Sequence, residues 1–181
     1  MPSVSYISNG FCKAADKAGD YCGWSELRFW NPTRWETTVR MRLYYSDREP
    51  ADLPDYEIGP EGNPLIVFPH DFTEFVSDVG PWGMRLVSDT PLMVDHILIT
   101  GRQGPPDNVR YSGGVSDSLA QTRLARLWYF SDGLALVHDP ETAPFPFNEF
   151  EWYHVLNPNM QDARVTMKCY YGDGTRETYD Y

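Results

Sequence analysis

Hydrophobic and polar residues alternate with a period of two along residues 38–45, which read TVRMRLYY. Val39, Met41 and Leu43 fall on one face of this segment, and Arg40 falls on the other. Such alternation is typical of a strand with one buried and one solvated face, as antiparallel sheets have. The segment is therefore predicted to be a strand whose Val39 face lines a hydrophobic core.

The same pattern returns 126 residues further along the chain. Residues 31–47 read NPTRWETTVRMRLYYSD and residues 157–173 read NPNMQDARVTMKCYYGD, with seven identities in seventeen positions and no gap. Average residue usage would give about one identity by chance. The chain is therefore predicted to be a tandem repeat of one unit. The inward positions of the second copy are Val165, Met167, Cys169 and Tyr171.

Further strands are predicted where short apolar runs are bounded by turn residues. The first, residues 4–8, is expected to end in a tight turn at Asn9-Gly10. Residues 91–100 are apolar on both faces apart from Asp95 and His96, which places them at the centre of a sheet. Residues 116–127 have the pattern of a short helix. The other predicted elements are strands at 64–68, 71–76 and 84–88, loops at 11–23 and 48–64, and a turn at 80–83.

Short strands at this spacing predict an all-β fold, an antiparallel β-sandwich of jelly-roll type. The repeat divides the chain into a sandwich over residues 1–114, a linker with a helical pattern over 115–127 and a truncated second copy over 128–181. The second copy lacks counterparts of several strands, so its inner face needs a cover. The first unit, another chain of a homo-oligomer or a further part of a longer protein are the three alternatives.

The net charge of the 181-residue chain is −11, from 26 acidic and 15 basic residues. An acidic chain is a poor ligand for nucleic acid, because phosphates are bound by clustered Lys and Arg. A basic partner surface is expected instead, such as the cytoplasmic loops of a membrane protein. No targeting pattern is found at the N-terminus, and a cytoplasmic location is predicted. Whether Cys12 and Cys22 form a disulfide stays open.

The sequence predicts no enzyme, cofactor or metal site. It contains no Gly-rich phosphate loop, nucleophile elbow or zinc-binding helix. Asp95 and His96 are neighbours on a predicted strand, so their side chains point to opposite faces and cannot act as an acid/base pair. We interpret His96 as a hydrogen-bonded histidine of a central strand, although it is retained as a candidate binding residue.

Several short motifs resemble those of the sensory rhodopsin transducer family of small bacterial proteins. They are WYFSDG at 128–133, VLN at 155–157, YYSDREP at 44–50, PLMVDH at 91–96 and GRQ at 101–103. The resemblance implies a jelly-roll sandwich that oligomerises and relays a signal by binding the cytoplasmic face of a microbial rhodopsin. It also implies a fold similar to that of carbohydrate-binding sandwiches. The single unit of the family is doubled here.

Two functions from different classes follow. The first is a signalling adaptor that binds a protein partner, such as a microbial rhodopsin or another membrane receptor. The second is a sandwich that binds a sugar or another small molecule through tryptophans in or beside loops. The candidate partner- or ligand-binding residues are Trp24, Arg28, Asp95, His96, Arg102, Trp128, Asp132 and His154.

Overall fold

The computed structural model describes residues 2–13, 21–68, 70–76, 79–102, 112–128 and 153–181. Over these ranges the strands form two antiparallel sheets and a separate two-stranded hairpin, which confirms the predicted all-β sandwich. The elements are β1 (Ser3–Cys12), β2 (Tyr21–Trp30), β3 (Thr37–Tyr45), β4 (Ala51–Asp52), β5 (Tyr56–Ile58), β6 (Leu65–Val67), α1 (Thr73–Val76), β7 (Val79–Ser88), β8 (Met93–Arg102), β9 (Ser112–Leu119), β10 (Thr166–Tyr170) and β11 (Arg176–Asp180).

The first sheet has the strand order β1-β7-β3-β4, and β5 also pairs with β3. The predicted face of β3 is confirmed, because Val39, Met41 and Leu43 are at most 1% exposed. β4 and β5 lie in the segment 48–64, which was predicted to be a Pro-rich loop. They are only two and three residues long, so their apolar pattern is too short to detect.

The second sheet has the strand order β6-β2-β8-β9, and it confirms the predicted central position of β8. Leu27, Phe29 and Val94 from this sheet belong to the same buried cluster as the inner residues of β3. The two sheets therefore enclose one core. β2 begins inside the predicted loop 11–23, of which residues 14–20 lie outside the described residues.

β1 joins the two sheets at one side of the sandwich. It pairs with β7 in the first sheet, and at its end Lys13 exchanges two backbone hydrogen bonds of 3.0 Å with Gly23, next to Cys22 of β2. Tyr6 of the same strand exchanges backbone hydrogen bonds of 2.7 and 2.9 Å with Gln121, just beyond β9. The sheets are thus linked through backbone groups as well as through side-chain packing.

The predicted turn at Asn9-Gly10 is wrong, because β1 continues to Cys12 with register shifts on both sides of Gly10. Such a bulge keeps the strand paired while bending it. A Cβ at Gly10 would lie 2.1 Å from the indole ring of Trp82, which itself is buried. Glycine is therefore required here by the close approach of a core tryptophan. The predicted turn at 80–83 is also wrong, since β7 runs through it and places Trp82 in the core.

Two further secondary-structure predictions are wrong. Residues 71–76 end in the short helix α1 instead of a strand, because Phe72, Phe75 and Val76 are spaced by three and four residues and all reach the core. The helix predicted over 116–127 is a strand over its first part, since β9 pairs with β8 along its whole length. Pairing within a sheet outweighs a weak local helix propensity.

The predicted domain boundary at residue 114 falls inside β9. The N–H of Ala120 also donates to the carbonyl of Val94 at 3.0 Å. We therefore expect a chain that ends after Arg123 to keep a cooperative thermal melt. A chain that ends after Gly114 should lose several degrees of melting temperature or fail to fold, because it leaves an edge of β8 unpaired. Circular dichroism on both truncations tests this, and equal melting temperatures would contradict it.

The β10–β11 hairpin has the same register as the β3–β4 pair of the first unit. Lys168 lies opposite Thr178, as Arg42 lies opposite Asp52 at positions 126 lower. The turn contains Gly174 at a φ of 86°, a conformation that favours glycine. The local geometry of the two copies therefore agrees in this hairpin, while a tandem organisation of the whole chain stays a prediction.

The Asn-Pro segment before each of these strands also has the same hydrogen bonds in both copies. The side-chain amide of Asn31 donates to the carbonyl of Trp35 at 2.7 Å. The amide of Asn157 donates to the carbonyl of Gln161 at the same distance. The identity of the asparagine in both copies therefore has a structural reason, which is to hold the turn that leads into the strand.

The segment before the hairpin packs against the first sheet. A Cβ at Gly83 would lie 2.6 Å from Cδ1 of Leu156 and 3.2 Å from the carbonyl oxygen of Ile7. Leu156 thus sits on β7 where the absence of a side chain leaves room for it. Three alternatives were considered for what covers the second copy. The first unit is one of them, and it makes at least this contact with Leu156.

Candidate functional site

The side chains of β2 alternate between the core and the outer face of the second sheet. Ser25, Leu27 and Phe29 point inward and are buried, with at most 1% of each residue exposed. The residues between them must then point outward, because successive side chains of a strand alternate. The outward residues of β2 are Trp24, Glu26, Arg28 and Trp30.

Polar contacts order the middle of this face. Nε1 of Trp24 donates to Oε1 of Glu26 at 3.2 Å, and Nη2 of Arg28 lies 3.7 Å from Oε2 of the same carboxylate. The side chain of Glu26 is 16% exposed, whereas that of Arg28 is 55% exposed. Asp95 lies directly opposite Arg28 on β8. The guanidinium is thus placed between two carboxylate-bearing positions and remains accessible to a partner.

Large apolar side chains surround these charges. Trp30 and Met93 are cross-strand partners, and each is 49% exposed. Leu65 of β6 lies opposite Arg28 on its other side and is 47% exposed. A group of half-exposed apolar residues on one sheet face is typical of an interaction surface. We call this surface the outer patch, and it consists of Trp24, Glu26, Arg28, Trp30, Leu65, Met93 and Asp95.

Three predicted candidates, Trp24, Arg28 and Asp95, are brought together in the outer patch. Trp30 and Met93 were not among the predicted candidates, because no strand was predicted over 21–30. The signal was present in the sequence as WxExRxW over residues 24–30, which is an alternation with large or charged residues on its outer face.

The other predicted candidates lie elsewhere. Arg102 ends β8, where its backbone pairs with Tyr21 and Ser112, and its side chain is not among those described. Trp128 lies in the coil after β9, and its Nε1 donates to the carbonyl of Ala125 at 3.2 Å. Asp132 lies outside the described residues. His154 is half-buried in the segment that packs on the first sheet, and this burial lowers the pKa of its imidazole.

His96 lies in the interior, which agrees with its interpretation as a central-strand histidine and removes it from the accessible candidates. It is 1% exposed, and its Nε2 is 3.2 Å from Oγ of Ser25. That hydroxyl also accepts from the N–H of Phe11 at 3.0 Å and lies 3.2 Å from the Phe11 carbonyl. A serine beside a histidine can suggest a nucleophile and its base, but this pair is enclosed by both sheets. The contacts instead connect β1, β2 and β8.

Metal-binding clusters and membrane-spanning helices are both absent from the described ranges. No group of three or more His, Cys, Asp or Glu residues there is arranged to hold a metal ion. None of the helices in the same ranges has the length and apolar character needed to cross a bilayer. Cys12, Cys22 and Cys169 are not joined by disulfide bonds, and burial raises the pKa of the Cys22 thiol.

Comparison with known proteins gives similarity at the level of fold. No family model and no curated protein matches the chain. The crystal structure called Thermotoga maritima 1070 is similar over 67% of this chain and 94% of its own, with a TM-score of 0.51 and 11% identity. The Anabaena sensory rhodopsin transducer matches over 52% of this chain and 85% of its own, with a TM-score of 0.44 and 17% identity. The second similarity is a distant structural one, so membership of that family stays a prediction.

Proposed function

We propose that this protein is a non-enzymatic adaptor that binds a partner protein through the outer patch. The observation that carries the proposal is the group of half-exposed Trp30, Met93 and Leu65 around the accessible guanidinium of Arg28. Trp and Arg are the residue types that most often dominate binding energy at protein interfaces, and Met is enriched there. The Ser25–His96 pair is enclosed and cannot meet a substrate, which supports a non-enzymatic role.

The chemistry of the patch favours a protein over a sugar. A sugar is bound by flat rings that stack on it and by polar groups that bond to its hydroxyls. Trp24 and Trp30 supply rings, but Leu65 and Met93 supply aliphatic surface next to them. Aliphatic surface gains most from burial against another apolar side chain. A protein with an apolar anchor and a carboxylate for Arg28 therefore fits the patch best.

The net charge of −11 on this chain also bears on the overall charge of its partner. Charge complementarity steers association, so a partner with a basic surface around its apolar anchor is favoured. Cytoplasmic loops of membrane proteins are enriched in Lys and Arg. We therefore propose a membrane receptor, for example a microbial rhodopsin, as the class of partner, with the adaptor acting in the cytoplasm.

Site-specific photo-crosslinking tests this function in cells that make both this protein and its natural partners. A photoreactive phenylalanine analogue at position 30 should trap one defined protein, and an excess of unlabelled wild-type chain should compete with the trapping. The same analogue at position 57 is the control, because Glu57 is exposed and pairs with Thr38 in the first sheet, away from the outer patch. Equal trapping from both positions, or trapping that wild-type chain does not reduce, would contradict the proposal.

The alternative function, sugar binding, is tested by titrating the protein with a panel of sugars and following its intrinsic tryptophan fluorescence. The adaptor should show no saturable change in tryptophan emission with any sugar. A saturable change that Trp24→Ala or Trp30→Ala removes would assign the outer patch to a carbohydrate and overturn the protein-binding role.

A further inference from the structure

The strand β10 has one paired edge and one open edge. Val165, just before it, exchanges two backbone hydrogen bonds of 3.0 and 2.9 Å with Tyr181, just past the end of β11. Alternate residues of a strand direct their backbone groups to opposite edges, so Thr166, Lys168 and Tyr170 direct theirs away from β11. All three are exposed, and within the described ranges β10 pairs with β11 alone. We call the backbone groups of these three residues the open edge.

The first unit has a strand at the equivalent edge. At positions 126 lower, β3 pairs with β4 and β5 on one side and with β7 on the other. The N–H of Asp89, which directly follows β7, donates to the carbonyl of Thr38 at 3.3 Å. The alternate residues Arg40, Arg42 and Tyr44 therefore direct their backbone groups to β7 as well. They are the counterparts of the open edge, to which the described residues supply no strand.

The inward side chains of β10 also lack the packing that β7 gives to those of β3. Met41 is 1% exposed, and Leu86 of β7 lies directly opposite it. Its counterpart Met167 is only half-buried, as is Cys169 two residues further on. A strand added at the open edge would place its own apolar side chains beside these two. Recognition by strand addition rests on this combination of backbone hydrogen bonds and alternate side-chain contacts.

We infer that the open edge binds an extended segment of another protein, which adds to the hairpin as a further antiparallel strand. The register of β3 and β7 places the segment residue equivalent to Leu86 opposite Met167, and the one equivalent to Arg85 opposite Lys168. Lys168 is exposed and forms no ion pair among the described residues. Opposite charges directly across two strands stabilise the pair. The segment therefore alternates apolar residues with polar ones and carries a carboxylate opposite Lys168.

A second copy of this chain fits the open edge poorly. β7 is held between β1 and β3, so it cannot be donated to another chain. Among the described edge strands of the two sheets, β4, β5 and β6 are two or three residues long. The remaining one, β9, consists mainly of Ser and Gly and has too few apolar side chains to cover the inward face of β10. The donor is therefore a different protein, and its site does not depend on the outer patch.

A labelled peptide with the sequence of residues 81–89, PWGMRLVSD, is the probe, because β7 has the pattern that fits the edge. Fluorescence anisotropy with the full chain is measured in about 0.15 M salt, which screens the net charge of the chain. The Arg85→Glu peptide should bind about threefold more tightly than the unchanged peptide. Lys168→Glu in the chain should reverse this preference. Absence of saturable binding, or a preference that Lys168→Glu leaves unchanged, would overturn the inference.

Backbone methylation of the peptide separates strand addition from other contacts. The N–H of peptide residue Arg85 would point to β10 and that of Leu86 would point away from it, because neighbouring residues alternate. N-methylation at position 85 should abolish binding, whereas N-methylation at position 86 is the matched control and should have little effect. Equal effects of the two methyl groups would overturn the inference.

Thiol exchange with Cys169 tests the register. A peptide with Met84→Cys, activated as a pyridyl disulfide, would place its sulfur opposite Cys169. The Cys169 thiolate attacks that sulfur, a new disulfide forms and pyridinethiolate leaves. Val87→Cys is the matched control, because position 87 lies opposite Thr166 on the other face, and it should react much more slowly. Equal rates for the two peptides, or a reaction that Cys169→Ser does not remove, would contradict the register.

Sedimentation velocity without peptide tests whether a second copy occupies the edge instead. Lys168→Pro removes an N–H that points to the open edge, and an edge strand tolerates proline at such a position. The wild type and Lys168→Pro should sediment as the same species. A wild-type dimer that Lys168→Pro abolishes would assign the edge to a second copy and overturn the inference.

Discussion

Met41→Asp is expected to abolish the cooperative thermal melt of the chain. The side chain of Met41 is fully enclosed between the two sheets, on a strand that pairs with β7 on one side and with β4 and β5 on the other. A carboxylate there would lose its hydration without gaining a partner. The cost of such a buried charge, together with the lost packing, is about 4 kcal/mol or more. That is a large share of the 5–15 kcal/mol that typically stabilises a domain.

Arg40→Asp is the matched control, one residue away on the solvated face of β3. Arg40 lies 2.9 Å from Asp89 and 3.9 Å from Asp55, and all three side chains are about half exposed. Exposed ion pairs contribute little, so the loss of the pairs and the new repulsion should lower the melting temperature only slightly and leave the melt cooperative. Circular dichroism melts of both variants measure the difference. Similar melting temperatures for the two variants would show that the face assignment of β3 is wrong.

Gly10→Ala should destabilise the sandwich by about 3 kcal/mol, at the upper end of what overpacking costs. The added Cβ would lie 2.1 Å from the indole ring of Trp82, and three ring atoms lie within 2.3 Å of it. Trp82 is enclosed by the core and packs edge-on against Phe68 with ring centroids 5.2 Å apart, so the ring has little room to move. Chemical denaturation of the purified variant measures the loss.

Gly59→Ala is the control for the loss of a glycine, because nothing lies within 4 Å of a Cβ at that position. It should change the free energy of unfolding by less than about 0.5 kcal/mol, as surface substitutions usually do. To test whether the clash with the indole causes the loss of stability, Gly10→Ala is combined with Trp82→Leu, which makes room for the added methyl group. On that background Gly10→Ala should cost far less than alone. An equal cost on both backgrounds would show that the clash with the indole is not the cause.

The fold class and the buried face of β3 were predictable, because a long alternation of apolar and polar residues indicates which face of a strand is buried. Val39, Met41 and Leu43 follow one another with the period of a strand, and the core is where that period places them. The turn at Asn9-Gly10 was predicted wrongly because glycine serves both turns and close contacts. Only the structure shows that Trp82, more than seventy residues further along the chain, approaches Gly10.

The site was predictable in part. Arg28 and Asp95 were chosen as separate candidates, and the register of β2 and β8 makes them neighbours. Such a register depends on which strands pair, which no local pattern contains. His96 was correctly interpreted as interior from the two-faced apolar character of its strand. No strand was predicted over 21–30, so Trp30 was not placed on one face with Trp24 and Arg28.

Isothermal titration of the crosslinked partner, once purified, tests the outer patch most directly. Trp30→Ala should weaken binding at least about tenfold, which corresponds to about 1.4 kcal/mol. Trp128→Ala is the matched control, since Trp128 is 51% exposed against 49% for Trp30 but lies outside the patch, and it should bind like the wild type. Unchanged affinity for Trp30→Ala, or equal loss for both variants, would contradict the assignment of the outer patch as the docking surface.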